Sequence, residues 1–256
     1  MIKLKSKVEN LLSSFRSVSL AEMDEAKLMD RYDTKFLLSE EQFLEILPQL
    51  IEEYRILEIE SKRSFTYESV YLDDVNFSFF NDHHAGKTHR FKVRYRTYVD
   101  VGSSFLEVKE RIKGHTVKKR IPANGTFDFQ TNEEKEFVTA LLTQTKALFP
   151  VLKNSYQRIT LVSNNGTERL TFDFELVYKW NEKESLFAGL VIAELKQEKV
   201  NRNAPFYKMM KQRIIRPLRV SKYCLGIMRL YMDKGLKFNR FKSKILKINK
   251  LEAHAA

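Results

Sequence analysis

The chain has 256 residues, 43% of them hydrophobic, enough to bury a sizeable core without disulfides or a structural metal. Its one cysteine, Cys224, excludes an intrachain disulfide and reads as a small buried hydrophobe in a reducing compartment. The net charge is +12, and sixteen Lys and Arg against a single acid, Asp233, fall between Lys199 and Lys250, so the excess points to an anionic partner.

In chain order, residues 3–29 read as a helix with Val8, Leu11, Leu12 and Phe15 at helical spacing. Met29–Leu38 reads as a strand. Ser39 then opens a helix to about Glu53, with Gln42 at the capping-box position. Phe65–Asp73 is a strand, followed by a turn or short helix to Ala85. The next strands share one pattern. In His89–Val99, Arg90, Lys92, Arg94 and Arg96 alternate with Phe91, Val93 and Tyr95. In Phe105–Arg111, Glu107, Lys109 and Arg111 alternate with Leu106 and Val108. Tyr156–Val162 sets Arg158 and Thr160 against Ile159 and Leu161. Arg169–Val177 sets Arg169, Thr171, Asp173 and Glu175 against apolar residues, and Val191–Lys196 ends with Glu194 and Lys196 straddling Leu195. Helices are expected at 132–148, 201–215 and 222–232. Residues 1–235 read as one domain and 236–256 as a basic tail.

Successive side chains on a strand face opposite ways, so each of these strands has one ionic and one apolar face. For one strand a solvated ionic face is the ordinary reading. Five such strands, rich in arginine with acids two positions from bases, suit a different arrangement. An α+β fold is expected, a closed antiparallel β-barrel of about eight strands, ionic faces inward and helices packed outside. A self-facing ring of arginines needs counter-charge. Glu107, Asp173, Glu175 and Glu194 supply part of it, and a polyanionic ligand would supply the rest. Arginine's planar fork suits phosphate oxygens. With 8 glycines and neither GxxxxGK[ST] nor GxGxxG, side chains rather than backbone must hold any phosphate.

The run Asp30-Arg31-Tyr32-Asp33-Thr34-Lys35-Phe36 resembles the opening strand of the VTC catalytic domain. Tyr71-Leu72-Asp73, Arg94-Tyr-Arg96, Glu107-Val-Lys109, Tyr156-Gln-Arg158, Glu194-Leu-Lys196 and Arg219-Val-Ser221-Lys222 continue the resemblance in order, over roughly residues 20–235. VTC domains are polyphosphate polymerases of the CYTH, or triphosphate tunnel metalloenzyme, superfamily. The resemblance implies an ATP-dependent transfer of the γ-phosphoryl group to a growing polyphosphate chain. It implies catalytic roles for Lys35, Arg94, Arg96, Lys109, Arg158 and Lys222. It implies substrate contacts from Arg31, Tyr156, Arg169, Lys196, Arg219 and Ser221, and a divalent metal, Mn²⁺ or Mg²⁺, on Glu194. Arg90 and Lys92 share the ionic face but stand outside that set. Where triphosphatases and cyclases of the superfamily open with E-x-E-x-K, this chain has Arg31 and Asp33 before Lys35, which suits one metal better than two.

The alternatives are a tripolyphosphatase or nucleoside triphosphatase, and a non-catalytic polyphosphate-binding module. Nucleic acid is not expected as a partner, because Phe91, Tyr95, Phe172 and Phe174 fall on apolar faces, away from any stacking surface. His83-His84 has no third ligand at metal spacing. Apolar runs such as Leu190–Ala193 are too short for a membrane span, and MIKLKSKVEN lacks a signal-peptide pattern. A cytoplasmic protein is expected. For the tail, Lys237–Leu251, three readings stand: a helix on the barrel, peripheral contact with a membrane surface, or a guide for the polyanion.

Overall fold

The computed structural model describes residues 4–25, 32–124, 131–142 and 147–253. In chain order these form α1 (Leu4–Leu12), β1 (Ser17–Val18), α2 (Leu20–Glu25), β2 (Tyr32–Ser39), α3 (Glu40–Ile46), β3 (Tyr54–Leu57), β4 (Phe65–Asp73), α4 (Ser78–Ala85), β5 (Arg90–Tyr98), β6 (Ser103–Ile112), β7 (His115–Pro122), α5 (Asn132–Leu141), β8 (Phe149–Ser163), β9 (Glu168–Trp180), β10 (Lys183–Phe187), β11 (Leu190–Gln197), α6 (Pro205–Gln212), α7 (Lys222–Leu230) and α8 (Lys242–Ala253).

The expected first helix is broken. After α1 the chain forms the short β1, which pairs parallel to β3, and restarts as α2. Ser19 and Glu22 form the reciprocal cap that starts α2, a Ser-x-x-Glu signal visible in the sequence. The Ser39–Gln42 capping box is present as expected, with Gln42 N–H donating to Ser39 Oγ at 3.1 Å. The helix it opens ends at Ile46, and Pro48 sits in a following 3₁₀ turn over Leu47–Leu50.

The main sheet runs β2-β11-β9-β8-β4-β5-β6-β7, antiparallel throughout, with β10 added to β9 and β3 to β8. The sheet curls strongly. Laid flat, β2 and β5 would stand about 24 Å apart, five strand spacings. Yet Lys35 of β2 acts electrostatically on Lys92 of β5, and Glu194 of β11 on Lys109 of β6.

The curl stops at a half-barrel, and this corrects the expectation of a closed ring. Among the described residues β7 pairs only with β6, and β2 only with β11. Part of the reason lies at β2, whose free edge is already used: Leu218 N–H donates to Lys35 O at 2.8 Å. The other free strand, β7, is exposed at nearly every position and carries Lys118, Lys119 and Arg120, a composition that resists edge pairing.

Two large apolar clusters, with a smaller third around Val18, Leu57, Phe65 and Val162, hold the sheet. One joins Phe36 and Leu38 of β2, Phe172 and Phe174 of β9 and Leu195 of β11 to α1, α3 and α6. Phe206 of α6 meets Phe36 and Phe172 edge-on, each with ring centroids 5.6 Å apart. The other joins Leu37, Ile192, Val93, Tyr95 and Leu106 to Tyr223, Ile227 and Leu230 of α7 and Phe241 and Ile248 of α8. Gly226 permits this seating of α7, since a Cβ there would run into Tyr178 and Leu152. No described helix is long and apolar enough to cross a membrane.

Candidate functional site

The alternation read from the sequence sets the concave face. Arg94 and Arg96 of β5 are both buried, as is Glu107 of β6, which stands in register with Arg94. Arg94 Nε and Nη2 donate to Glu107 Oε2 at 2.9 and 2.6 Å, and Arg94 Nη1 donates to Tyr71 Oη at 3.3 Å. Lys118 Nζ of β7 lies 3.5 Å from the other Glu107 oxygen. Burial opposes the Glu107 charge, but Arg94, Arg96 and Lys109 outweigh it and hold the carboxyl well below its ordinary range. Glu107, expected to supply counter-charge, does so to Arg94 and Lys118.

A second group surrounds Asp173, which is fully buried on β9. Arg158 Nε and Nη2 donate to its two oxygens at 2.5 and 2.7 Å, a bidentate pair. Lys222 Nζ donates to the same carboxylate from the first turn of α7. Burial works against the Asp173 charge, yet Arg158 and Lys222 pull its pKa down to about 2. Burial pushes Lys222 down to about 8 despite Asp173, with Arg158 adding repulsion. Tyr67 and Tyr156 stack with ring centroids 5.5 Å apart and floor this part of the groove. Arg96, Arg158 and Lys222 all lie over those rings; Arg158 is 4.9 Å from the Tyr67 centroid and Lys222 is 4.4 Å from that of Tyr156. Arg96 Nη2 also donates to Tyr156 Oη at 2.8 Å.

A third group lies on β2 and β11, where Glu194 and Lys35 are in register. Lys196 Nζ is 2.5 Å and Lys35 Nζ 3.8 Å from Glu194 Oε1. Asp33 lies 3.4 Å from Lys196 and hydrogen-bonds Glu194. Burial opposes the Glu194 charge, but Lys196 and Lys35 hold it well below the carboxylate range, while burial and the Glu194 charge push Asp33 up. Asp33 donates its proton to the Glu194 carboxylate; once that proton is lost, the two carboxylates beside the ammonium groups are a donor set of the kind a hard divalent cation takes, the remaining positions going to water and phosphate oxygens. Asp33 and Glu194 therefore fit such an ion. No group of three or more His, Cys, Asp or Glu suited to a metal occurs among the described residues.

Two lysines differ from the rest. Lys92 and Lys109 stand opposite each other across β5 and β6. Neither is seen to form an ion pair or hydrogen bond among the described residues. Burial, then Lys35, Arg94 and Arg90, lowers Lys92 to about 8. Arg94, then burial and Arg96, drives Lys109 well below its ordinary value.

The structure thus brings Lys35, Arg94, Arg96, Lys109, Tyr156, Arg158, Lys196, Lys222 and Glu194 onto one concave surface. Arg169 is half-buried on β9 and donates to Met23 O at 2.9 Å. Arg219 is exposed, in the loop before α7. Ser221 caps α7, its Oγ accepting the Cys224 N–H at 3.4 Å. Arg31 lies outside the described residues. Glu175, expected beside Asp173, sits at a bulge with φ +52° where β9 slips register against β8. Its carboxylate instead accepts the Lys5 N–H at 3.0 Å. Sequence reasoning passed over Tyr67 and Ser69 of β4 and gave Tyr71 only as part of the family resemblance; their alternation with Glu68, Val70 and Leu72 is the signal that places them on the same face. His83 and His84 lie in the last turn of α4 rather than in a loop.

No curated protein sequence matches the chain. Among solved structures it is similar to a candidate adenylate cyclase from Bacillus halodurans, 13% identical over 79% of this chain and 100% of that one, with a TM-score of 0.47. It is similar to a candidate adenylyl cyclase from Hippeastrum with a dominant triphosphatase activity, 13% identical over 77% of this chain and 95% of that one, TM-score 0.49. A third, from Vibrio parahaemolyticus, is 10% identical over 77% and 98% of the two chains, TM-score 0.44. The VTC domain family matches residues 30–231, from just before the strand that carries Lys35 through the helix that carries Lys222, and the chain belongs to that family.

Proposed function

We propose that the chain is an ATP-dependent polyphosphate polymerase whose concave face holds a linear phosphate chain. The observation that carries this reading is the imbalance of charge lining the groove. Among the described residues, Lys35, Lys92, Arg94, Arg96, Lys109, Arg158, Lys196 and Lys222, half-buried or buried, share that surface with the acids Asp33, Glu107, Asp173 and Glu194. Two of those cations, Lys92 and Lys109, form no ion pair or hydrogen bond among the described residues. Holding unpartnered cations in a desolvated groove is costly, and a polyanion relieves that cost.

The paired arginines keep their guanidinium planes fixed before a ligand arrives, so little reorganisation is needed when phosphate oxygens meet them. Lys92, Lys109 and Lys222 supply charge where the transferring phosphoryl group spreads its own. A terminal oxygen of the polyphosphate attacks the γ-phosphorus of ATP; the bond to the β-bridging oxygen breaks, and ADP leaves with that electron pair. Asp33 and Glu194 would hold the divalent cation, Mn²⁺ or Mg²⁺, which when bound neutralises phosphate oxygens and polarises the reacting phosphoryl group.

The test is incubation of purified protein with ATP and Mn²⁺, with products resolved on a gel. Long polyphosphate and ADP are expected. Orthophosphate as the sole phosphate product would replace the reading with a triphosphatase. Tight polyphosphate binding with no turnover under any metal would replace it with a binding module.

A further inference from the structure

Beyond the groove lies a second cluster of cations that the proposed chemistry leaves unused. Arg90 begins β5 two positions before Lys92, and Arg111 stands opposite it on β6. Arg219 precedes α7, and Lys244 lies in the first turn of α8, outside the family-matched residues. Among the described residues no carboxylate pairs with any of these four. Arg90 Nη1 donates to Lys87 O, but Arg90 Nε is buried with no hydrogen-bond partner. The segment leading into α8 is fixed against α4: Arg240 Nη1 donates to Ala85 O, and Phe241 meets His84 edge-on with ring centroids 5.3 Å apart. Lys244 Nζ sits 4.8 Å from the Phe241 ring centroid. The cations feel one another. Burial, Arg111 and Arg219 lower Arg90, and burial, Arg219 and Arg90 lower Lys244. Burial, then Lys92, Arg90, Arg111 and Lys244, keeps the neighbouring His83 neutral.

We infer that Arg90, Arg111, Arg219 and Lys244 form a second anion site at one end of the groove, which takes the distal phosphates of a long inorganic polyphosphate. This rests on the polyphosphate reading of the groove. Continuity with the groove favours that occupant. Arg90, Lys92, Arg94 and Arg96 are successive residues of one strand face and span about 20 Å, a track too long for a single triphosphate to cover fully. The composition disfavours nucleic acid. Among the described residues the only aromatics of the large exposed hydrophobics are Tyr32 and Phe149, and neither belongs to this cluster, which disfavours base stacking there. The tail helix would thus extend the binding surface rather than only cover the core.

Binding separates this idea from the polymerase reading, because it needs no turnover. Affinities of the full chain for tripolyphosphate and for polyphosphate of about 100 units are compared in wild type, Arg111→Gln, Lys244→Gln and the double variant. In the double variant, long-chain affinity is expected to fall about tenfold and its salt dependence to shallow by about two phosphate contacts. Tripolyphosphate affinity should stay within twofold, the melting temperature should hold, and Lys244→Arg should retain long-chain affinity. Equal weakening for both ligands, or no change for the long chain, overturns the inference. So does a single-stranded oligonucleotide of equal charge that binds as tightly as the long polyphosphate and is weakened alike by the double variant. If long-chain binding behaves as expected but ATP yields no polymer, the polymerase reading fails and the site stands.

Discussion

Two parts of the concave face carry the same charge in different ways. Around Glu107 and Asp173, arginines are tied to carboxylates by two hydrogen bonds each. Between them and the Arg90 end, Lys92 and Lys109 face each other with no ion pair or hydrogen bond among the described residues. The first region is complete without ligand, whereas the second is complete only with an anion. The contrast suggests a division of labour: fixed arginines set geometry, while unpartnered lysines supply the net attraction.

The largest expected effect breaks the paired region. Glu107→Ala leaves Arg94 buried with no carboxylate and should cost about 3–5 kcal/mol of stability, read by denaturant unfolding. A cost under 1 kcal/mol would mean that Arg94 finds compensation elsewhere. Next is Lys222→Ala, which should lower turnover about 10²–10³-fold while the chain stays folded, because Arg158 still neutralises Asp173. Glu194→Ala should act similarly if it holds the metal; wild-type rates in either variant would refute those roles.

Two desolvated lysines, one in each region, predict a pH effect. Lys92 and Lys222 have pKa values near 8 in the fold against an ordinary 10.5, so the unfolded chain binds more protons between those values. Stability of the ligand-free protein should therefore rise as pH climbs from about 8 to about 10.5, the penalty being complete below the folded values. A melting-temperature gain of a few degrees, at about 2–4 °C per kcal/mol, is expected, and saturating tripolyphosphate should flatten it by holding the lysines charged. A melting temperature that is flat or falls over this range without ligand would contradict it. The smallest effect sharpens the same point. Lys109→Met should stabilise the ligand-free protein by about 1 kcal/mol, since it removes a cation on which the repulsion of Arg94 and Arg96 and the cost of burial outweigh the attraction of Glu107 and Glu194, yet weaken tripolyphosphate binding. Stabilisation without loss of binding would show that Lys109 does not touch the ligand.

The ionic faces were legible because strand alternation is a local rule. Arg94, Arg96, Lys109, Arg158, Glu194 and Lys196 each stand where a two-residue period puts them. The period fails where the backbone leaves it, as at Glu175, whose positive φ turns it toward Lys5. Residue type also hid a competing use for Ser221, whose hydroxyl caps a helix in this structure, and the extra cap at Ser19 divided what reads as one long helix.

What the sequence determined by itself, then, is the set of two-faced strands, their order along the chain, and the concentration of positive charge after Lys199. Only the tertiary structure decided which carboxylate serves which arginine, that Lys92 and Lys109 are left over, and that the sheet stays open. Those outcomes depend on which distant segments meet. The contact of Leu218 with Lys35 is one case, formed 183 residues apart along the chain on a strand edge the closed ring would have needed. Side-chain periodicity carries no information about such a meeting, because it is fixed by the packing of α6, α7 and α8 around the curled sheet rather than by the local chain.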